Sequence, residues 1–306
     1  AASDVYKRQI PYTSIEFAKN NPVSLESGTS HKMQLVTGPA NATDHRIKWT
    51  SSNKTAATVD ENGTVTALRP IETVTITAVY KTNPALTCSW NLKITRTKGY
   101  ITKQMLDNLD LTSIKKVMIT AHPDDETLWG GGHLIEGEYL VVCMTHGWNP
   151  KRRTAFEQTM RTTNDKYLIL DYPDVRKTFS NGKYETDMLS TCKNAMQEDI
   201  NLILSYKKWD LIATHNPFGE YGKFLHKTIS QMVTQCYNKM TNKSATLYYF
   251  GRYYNSSNKI PGEQIAPELL AIKNSMVGRY YPTAKGAIDA FGHMIPYENW
   301  LLPSEW

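Results

Sequence analysis

The hydrophobic pattern of this chain changes near residue 98, and that change restricts the possible folds more than any other feature. Before it, short Thr- and Val-rich runs alternate with polar turns, and after it compact apolar runs alternate with long amphipathic stretches. The first pattern is typical of an all-β domain, and the second of an α/β domain with a parallel sheet. The 306 residues suffice for about two domains of roughly 150 residues. We therefore predict two domains, residues 10–97 and residues 98–306.

The first segment contains about six short strand-like runs. Asn62-Gly63 lies between two of them and predicts a hairpin, because both residues tolerate a positive φ. Six short strands in fewer than 90 residues predict a β-sandwich. The predicted strands are residues 30–36, 46–51, 57–59, 64–68, 74–80 and 89–95.

Four strings in this segment carry a family resemblance. IKWTSSN at 47–53, ATVD at 57–60, NGTV at 62–65 and TITA at 75–78 resemble the bacterial immunoglobulin-like domain, group 2. The resemblance implies a spacer or adhesion module, a secreted or cell-surface location, and a cell-wall or surface glycan as the domain's candidate contact. We interpret Trp49 as a core residue of this domain rather than a ligand platform.

Composition excludes several classes of protein. The net charge of +6 is dispersed, without the basic run that nucleic-acid binding would favour. No apolar run approaches the roughly 18 residues of a transmembrane helix. The opening AASDVYKRQ has no apolar signal region but resembles a trimmed or foreign end. The cysteines form no CxxC pair, so we interpret them as structural: Cys88, Cys143, Cys192 and Cys236.

The second segment alternates strand and helix patterns. In the last of the predicted helices, Leu225, Ile229, Met232 and Cys236 recur at helical spacing and form a core stripe. The predicted strands are residues 116–121, 139–145, 167–170, 210–214 and 246–251, and the predicted helices are residues 151–163, 185–206 and 223–240.

Polar residues follow three of these strands, where ligands bind in open parallel sheets. AHPDDE occupies residues 121–126, THG residues 145–147, and THNPFGEYG residues 214–222. Histidine and carboxylate side chains on neighbouring loops are what a catalytic zinc site needs. One of the adjacent Asp124 and Asp125 can bind metal while the other faces the attacking water. They can also cap a helix, and the two roles are compatible. A magnesium-dependent phosphotransferase is disfavoured, because it would want oxygen-rich ligands.

The AHPDDE string also carries a resemblance that covers roughly residues 115–306. It resembles the signature of the PIG-L/LmbE-like deacetylases, zinc-dependent enzymes that remove acetyl groups from N-acetylglucosamine-containing substrates. THNP at 214–217, GEYG at 219–222 and His226 follow at the family's distance. The resemblance implies a Rossmann-like, mostly parallel α/β domain that binds Zn²⁺ and hydrolyses an amide.

The resemblance also implies roles for individual residues. His122, Asp125 and His226 match the family's zinc ligands. Asp124 matches the general base that activates water, and Tyr221 matches the tyrosine that stabilises the tetrahedral oxyanion.

This chain departs from the family pattern after Gly222, where Lys223 stands in the place of the usual histidine. An ammonium can stabilise an oxyanion or protonate the leaving amine, although its ordinary pKa suits neither task well. Alternatively, Lys223 faces solvent and His215 or His293 supplies the proton. Arg152 and Arg153 fall near the family's substrate-contacting arginine. The candidate substrate contacts are Arg153, His215 and His293.

We therefore expect a hydrolase that removes the N-acetyl group from an N-acetylglucosamine-type sugar or glycan. The alternative is a non-catalytic surface protein that binds carbohydrate through a decayed deacetylase site. Lys223 and the immunoglobulin-like segment motivate that alternative.

Overall fold

The structure is a computed structural model that describes residues 9–174, 187–241 and 243–306. The chain divides into two compact units, Ala1–Thr97 and Lys98–Trp306. Each unit has its own buried core. No helix in the described ranges combines the length and apolar character needed to cross a bilayer.

The described part of the first unit is built from short strands that surround one core. Its sheets have the orders β2-β9-β8-β5, β3-β7-β6 and β1-β4. Neighbouring strands are antiparallel, except that β2 and β9 are parallel. The strands are β1 Ser14–Phe17, β2 Ser24–Glu26, β3 Ser30–Lys32, β4 Leu35–Gly38, β5 Ile47–Ser51, β6 Ala57–Val59, β7 Thr64–Ala67, β8 Ile71–Tyr80 and β9 Thr87–Thr95.

One predicted strand, residues 30–36, is wrong as a single element. It divides into β3 and β4, which belong to different sheets. Gln34, at the break, donates its backbone N–H to the Asn21 side chain and accepts from the same amide through its carbonyl, both at 2.8 Å. The N–H of Gln34 is therefore bonded to a side chain, while its carbonyl also accepts the backbone N–H of Ala18, just after β1, at 3.0 Å. The chain passes from one sheet to another at this residue.

The predicted hairpin connects β6 to β7. Gly63 has φ of +80°, and the Asp60 side chain accepts from the backbone N–H groups of Asn62 and Thr64 at 2.9 and 2.7 Å. A Cβ at position 63 would lie 2.5 Å from Cζ2 of Trp49. Trp49 packs against the core, including the edge of Phe17 at 5.9 Å between ring centroids. This packing agrees with the interpretation of Trp49 as a core residue of the domain.

The second unit contains a five-stranded parallel sheet of order β12-β11-β10-β13-β14 within its described residues. The predicted mostly parallel α/β organisation is confirmed. The predicted strands coincide with the observed ones to within two residues at each end. The strands are β10 Lys116–Thr120, β11 Tyr139–Thr145, β12 Lys166–Tyr172, β13 Leu211–His215 and β14 Thr246–Phe250.

Helices cover both faces of this sheet. Alternate residues of β10 show the arrangement: Val117 and Ile119 join the core beneath α1, α4 and α6, while Met118 joins the core beneath α2, α3 and α7. The helices are α1 Lys103–Asn108, α2 Asp125–Glu136, α3 Pro150–Thr163, α4 Asp187–Tyr206, α5 Gly219–Gly222, α6 Phe224–Lys239 and α7 Pro267–Phe291.

The predicted helices correspond to α3, α4 and α6 and do not include α1, α2, α5 and α7. α7 has 25 residues, but Pro282 lies inside it and Ala284 departs from helical geometry with φ of −130°. A proline and a kink interrupt the 3.6-residue periodicity on which helix prediction depends. The helix predicted at 185–206 is present from residue 187, and residues 185 and 186 lie outside the described residues.

The last residues of the second unit are tied to the sheet and to two helices. Leu301 and Tyr249 exchange two backbone hydrogen bonds of 2.8 and 2.9 Å beside β14. Glu298 is 2% exposed at its side chain and pairs with the fully buried Lys273 of α7 at 2.7 Å. Glu298 also accepts from the backbone N–H groups of Gly132 and His133 in α2. This carboxylate thus joins three segments of the unit.

Candidate active site

The AHPDDE string forms a buried turn between β10 and α2. Asp125 accepts the backbone N–H of His122 at 2.8 Å, which closes the turn. Asp124 has φ of 148°, a conformation that non-glycine residues rarely adopt, and occupies the N-cap position of α2. Its side chain makes no capping hydrogen bond there. The carboxylate of Asp124 is therefore available for a role other than capping.

Three side chains from this turn and from α6 converge below the carboxyl ends of the central strands. His122, Asp125 and His226 are each at most 5% exposed. Nδ1 of His122 lies 3.0 Å from Nε2 of His226, and Oδ2 of Asp125 lies 3.3 and 3.4 Å from these two nitrogens. The three predicted metal ligands are therefore brought together. We name this set the ligand cluster.

Glu220 fixes the orientation of His226. One carboxylate oxygen of Glu220 bonds to Nδ1 of His226, and the other to Nδ1 of His215 at 3.0 Å. His215 accepts the backbone N–H of Ala121 through Nε2 at 2.9 Å, so its proton is on Nδ1. Glu220 therefore accepts a hydrogen bond from the N–H of each ring, and Nε2 of His226 is left free to bind a metal.

Glu220 has no assigned role in the sequence prediction, although it lies within the GEYG string. Its φ of 55° is a strained backbone conformation for a non-glycine residue. An acidic residue six positions before a predicted metal-binding histidine was the available signal.

Asp174 performs the corresponding task for His122. Its Oδ1 lies 3.0 Å from Nε2 of His122, and its Oδ2 lies 3.5 Å from Nε2 of His146. A proton on Nε2 of His122 leaves Nδ1 free to face the ligand cluster. Sequence reasoning missed Asp174 because it ended the third strand at residue 170, whereas β12 extends to Tyr172 and places Asp174 just beyond a strand end.

Electrostatics separate the two adjacent aspartates. Burial and the charge of Asp125 raise the pKa of Asp124, although Arg152 at 4.0 Å opposes this. Burial alone would raise the pKa of Asp125, but His226, His215 and His122 hold it well below its ordinary value. One carboxylate is thus firmly ionised while its neighbour is poised to accept and return a proton.

The surroundings of His122 favour positive charge. Burial alone would lower the pKa of His122, but Asp174 and Asp125 raise it to about 9. A position where carboxylates stabilise a cation is also one that suits a metal ion.

A cavity of about 600 Å³ opens beside the ligand cluster. Tyr221 and Lys223 line it, as does Arg152, and residues 283–287, 290 and 291 of α7 form another side. The side-chain ammonium of Lys223 has no hydrogen-bond or ion-pair partner among the residues that the structure describes. All three predicted catalytic residues therefore line the cavity: Asp124, Tyr221 and Lys223.

The three predicted substrate contacts do not lie on this wall. Arg153 donates to the carbonyl of Gly147 at 2.6 Å, and Arg152 takes the position at the cavity instead. His215 is fully buried beneath the ligand cluster. His293 donates to the carbonyl of Tyr254 at 2.8 Å. Arg153, His215 and His293 are thus not among the residues that line the cavity, and their contact with a substrate stays a prediction.

Residues 11–89 match the family model of the bacterial Ig-like domain, group 2. The predicted immunoglobulin-like domain is thus confirmed, and such domains are typical of bacterial surface and extracellular proteins.

Among solved structures, the conserved protein TT1542 from Thermus thermophilus is similar with a TM-score of 0.45 and 12% identity, over 62% of this chain and 94% of that one. Uncharacterized protein CA_P0160 of Clostridium acetobutylicum is 32% identical over 117 residues, which are 38% of this chain and 12% of that protein.

A longer match is found in Acanthamoeba polyphaga mimivirus. Its uncharacterized protein L374 is 31% identical over 175 residues, which are 52% of this chain and 67% of that protein. At that identity and coverage, the chain belongs to the same protein family as mimivirus protein L374.

Proposed function

We propose that the second unit is a zinc-dependent N-deacetylase of the PIG-L/LmbE type, acting on an N-acetylglucosamine-type sugar or glycan. The observation that carries the proposal is the ligand cluster, set beside a carboxylate with a raised pKa at a cavity wall. The AHPDDE string and the parallel sheet agree with it.

The ligand cluster fits zinc. In a tetrahedral zinc site with ligands at about 2.0–2.1 Å, neighbouring ligand atoms lie about 3.3 Å apart. The three separations in the ligand cluster are 3.0, 3.3 and 3.4 Å. Two imidazoles and one carboxylate are also a donor set that zinc uses in catalytic sites, where a fourth position remains open. When bound, zinc would supply the Lewis acidity that polarises the acetamide carbonyl and makes a water molecule more acidic.

Asp124 holds and moves the proton of the attacking water. Its raised pKa makes it a base of suitable strength near neutral pH, and it faces the same cavity as the ligand cluster. Water adds its oxygen to the amide carbon, and its proton passes to Asp124. When the C–N bond breaks, the nitrogen takes up a proton, and the products are acetate and a free amino sugar.

Tyr221 donates a hydrogen bond to the oxyanion that forms on the carbonyl oxygen. Burial and the nearby carboxylates raise the pKa of Tyr221, so it remains a phenol and keeps its proton for donation. Lys223 lies on the same wall, where its ammonium can stabilise negative charge or protonate the leaving amine. Asp124 is the other candidate for that last proton.

The first unit suggests where this reaction takes place. A bacterial Ig-like domain fits a secreted or cell-surface protein, and its candidate contact is a cell-wall or surface glycan. We propose that it holds the deacetylase near such a glycan.

The test measures zinc content and acetate release side by side on the full chain, with N-acetylglucosamine oligomers as substrates. We expect Asp124→Ala to retain zinc and lose turnover. His122→Ala and Asp125→Ala should lose the metal. An active Asp124→Ala variant would overturn the mechanism. Bound zinc without turnover on any glycan would instead favour the alternative, a non-catalytic surface protein that binds carbohydrate.

A further inference from the structure

The cavity beside the ligand cluster has an aromatic side. Tyr221, Tyr253 and Phe291 all line it. The ring centroids of Tyr221 and Phe291 are 4.7 Å apart, and those of Tyr253 and Phe291 are 5.9 Å apart with the rings nearly perpendicular. Phe291 is 5% exposed and lies between two tyrosines that are 44% and 40% exposed. We name Tyr221, Tyr253 and Phe291 the aromatic wall.

The exposure of Tyr253 needs a reason. Single exposed apolar side chains are normal on a protein surface, but neighbouring ones that face one cavity indicate a ligand. Tyr221 already has a proposed part in the reaction. Tyr253 comes from the segment after β14 and has no part in the proposed reaction. Its hydroxyl makes no hydrogen bond with the residues that the structure describes.

Two neighbouring side chains, His293 and Phe291, fix the position of Tyr253. His293 donates to the carbonyl of the next residue, Tyr254, at 2.8 Å, and its ring lies 6.3 Å from the Tyr253 ring at 85°. Phe291 contacts the same ring at a similar angle. Phe291 and His293 thus hold the Tyr253 ring in place, while 40% of Tyr253 remains exposed. A ring that is held in this way is already positioned to contact a ligand in the cavity.

The cavity has room for more than an acetamide group. Four small residues of α7 also line it, beside Thr283 and Lys285: Ala284, Gly286, Ala287 and Ala290. The volume of about 600 Å³ lies well within the range of roughly 300–1,000 Å³ for pockets that enclose whole small molecules.

An aromatic ring at this place fits a sugar. A pyranose ring has an apolar face of C–H groups that packs flat on an aromatic side chain, while its hydroxyls remain free for polar contacts. Tyrosine suits such a contact, because it combines a large apolar body with a polar end.

We propose that Tyr253 binds the sugar adjacent to the one that carries the acetamide, so that the substrate is a glycan of at least two sugars. This inference rests on the proposed function. It predicts that Tyr253 affects the binding of the neighbouring sugar and not the chemical step.

The test compares the zinc-loaded full chain on N-acetylglucosamine and on its di- and trisaccharides. Tyr253→Ala should raise the KM for the disaccharide about tenfold, with little change in kcat, by analogy with nucleobases stacked on aromatic side chains. Its kcat/KM for the monosaccharide should stay unchanged. Tyr281→Ala is the matched control, since Tyr281 is 42% exposed, belongs to the same unit, and is not among the residues that line the cavity.

A binding measurement separates this inference from the proposed function. Calorimetric titration of the zinc-loaded protein with the disaccharide should show binding that Tyr253→Ala weakens, even if no acetate is released. That result would support the Tyr253 contact while refuting the deacetylase. Acetate release with equal kcat/KM on mono- and disaccharide, unaffected by Tyr253→Ala, would overturn the inference and leave the deacetylase standing. Absence of both binding and release would overturn both.

Discussion

The buried pair of Lys273 and Glu298 predicts an asymmetric response to mutation. Lys273 is fully buried, and its Nζ pairs with one anionic group of the described residues, the carboxylate of Glu298, at 2.7 Å. Glu298 has three further donors, namely the backbone N–H groups of Gly132 and His133 and the His133 ring. Removal of the carboxylate therefore isolates a buried charge, whereas removal of the lysine does not.

The magnitudes follow from these partners. Glu298→Gln keeps the size of the side chain but leaves the ammonium uncompensated, which costs about 3–5 kcal/mol in free energy of unfolding. Lys273→Met leaves a carboxylate that keeps three hydrogen bonds, and it costs about 1–2 kcal/mol. In a unit of this size each kcal/mol shifts Tm by about 2–4 °C. The two variants should therefore differ by about 5–10 °C.

Denaturant unfolding of the full chain, followed by tryptophan fluorescence, measures the difference. Trp300 is a suitable probe, because it stacks on His133 at 3.8 Å between ring centroids. The double variant should be less destabilised than the sum of the single ones. Equal losses from the two single variants, or strict additivity, would refute the asymmetry.

The same pair predicts a dependence on pH. Burial lowers the pKa of Lys273, and Glu298 opposes that change. Glu298→Gln should lower the folded-state pKa further, below the unfolded value of about 10.4. The unfolded chain then binds more protons than the folded one, so the stability of the variant rises with pH. Its deficit relative to the unmodified chain should shrink between pH 7 and pH 9.5.

Three further predictions concern single residues. Glu220→Gln cannot accept hydrogen bonds from both His215 and His226, so zinc affinity should fall about 10- to 100-fold in competition with a chelator; unchanged affinity would contradict the positioning role. Lys223→Ala should retain zinc and lower kcat about 100-fold while Lys223→His restores it, and an unaffected kcat would exclude the ammonium from the reaction. Gly63→Ala should destabilise the first unit by more than about 1 kcal/mol, because of its positive φ and the contact with Trp49; a neutral result in Trp49 fluorescence unfolding would refute this.

The parts of the fold that sequence reasoning predicted depend on local patterns. The strands of the parallel sheet are apolar runs bounded by polar residues, and Asn62-Gly63 carries its own turn preference. The division of residues 30–36 between two sheets depends on Asn21, which is more than ten positions away and reaches the backbone of Gln34. Such a contact leaves no periodic trace in the sequence.

The candidate site shows a similar division. The family resemblance implied His122, Asp125 and His226 as metal ligands, and the fold brings them together. Glu220 and Asp174 support these histidines from positions whose roles appear only when side chains are oriented in space. His215 and His293 were proposed as substrate contacts from their positions in the chain. His215 is fully buried, His293 bonds to a backbone carbonyl, and neither is among the residues that line the cavity.

The pairing of Leu301 with Tyr249 has a consequence for the behaviour of the chain in concentrated solution. β14 is the outermost strand of its sheet, and an open strand edge offers unpaired N–H and C=O groups to a strand of another protein molecule. The two hydrogen bonds with Leu301 occupy part of that edge. Removal of the residues after position 297 would expose it, together with the apolar faces of Tyr249 and Phe250. Residues 298–306 therefore protect the edge of β14 from strand pairing with other molecules and from the aggregation that would follow.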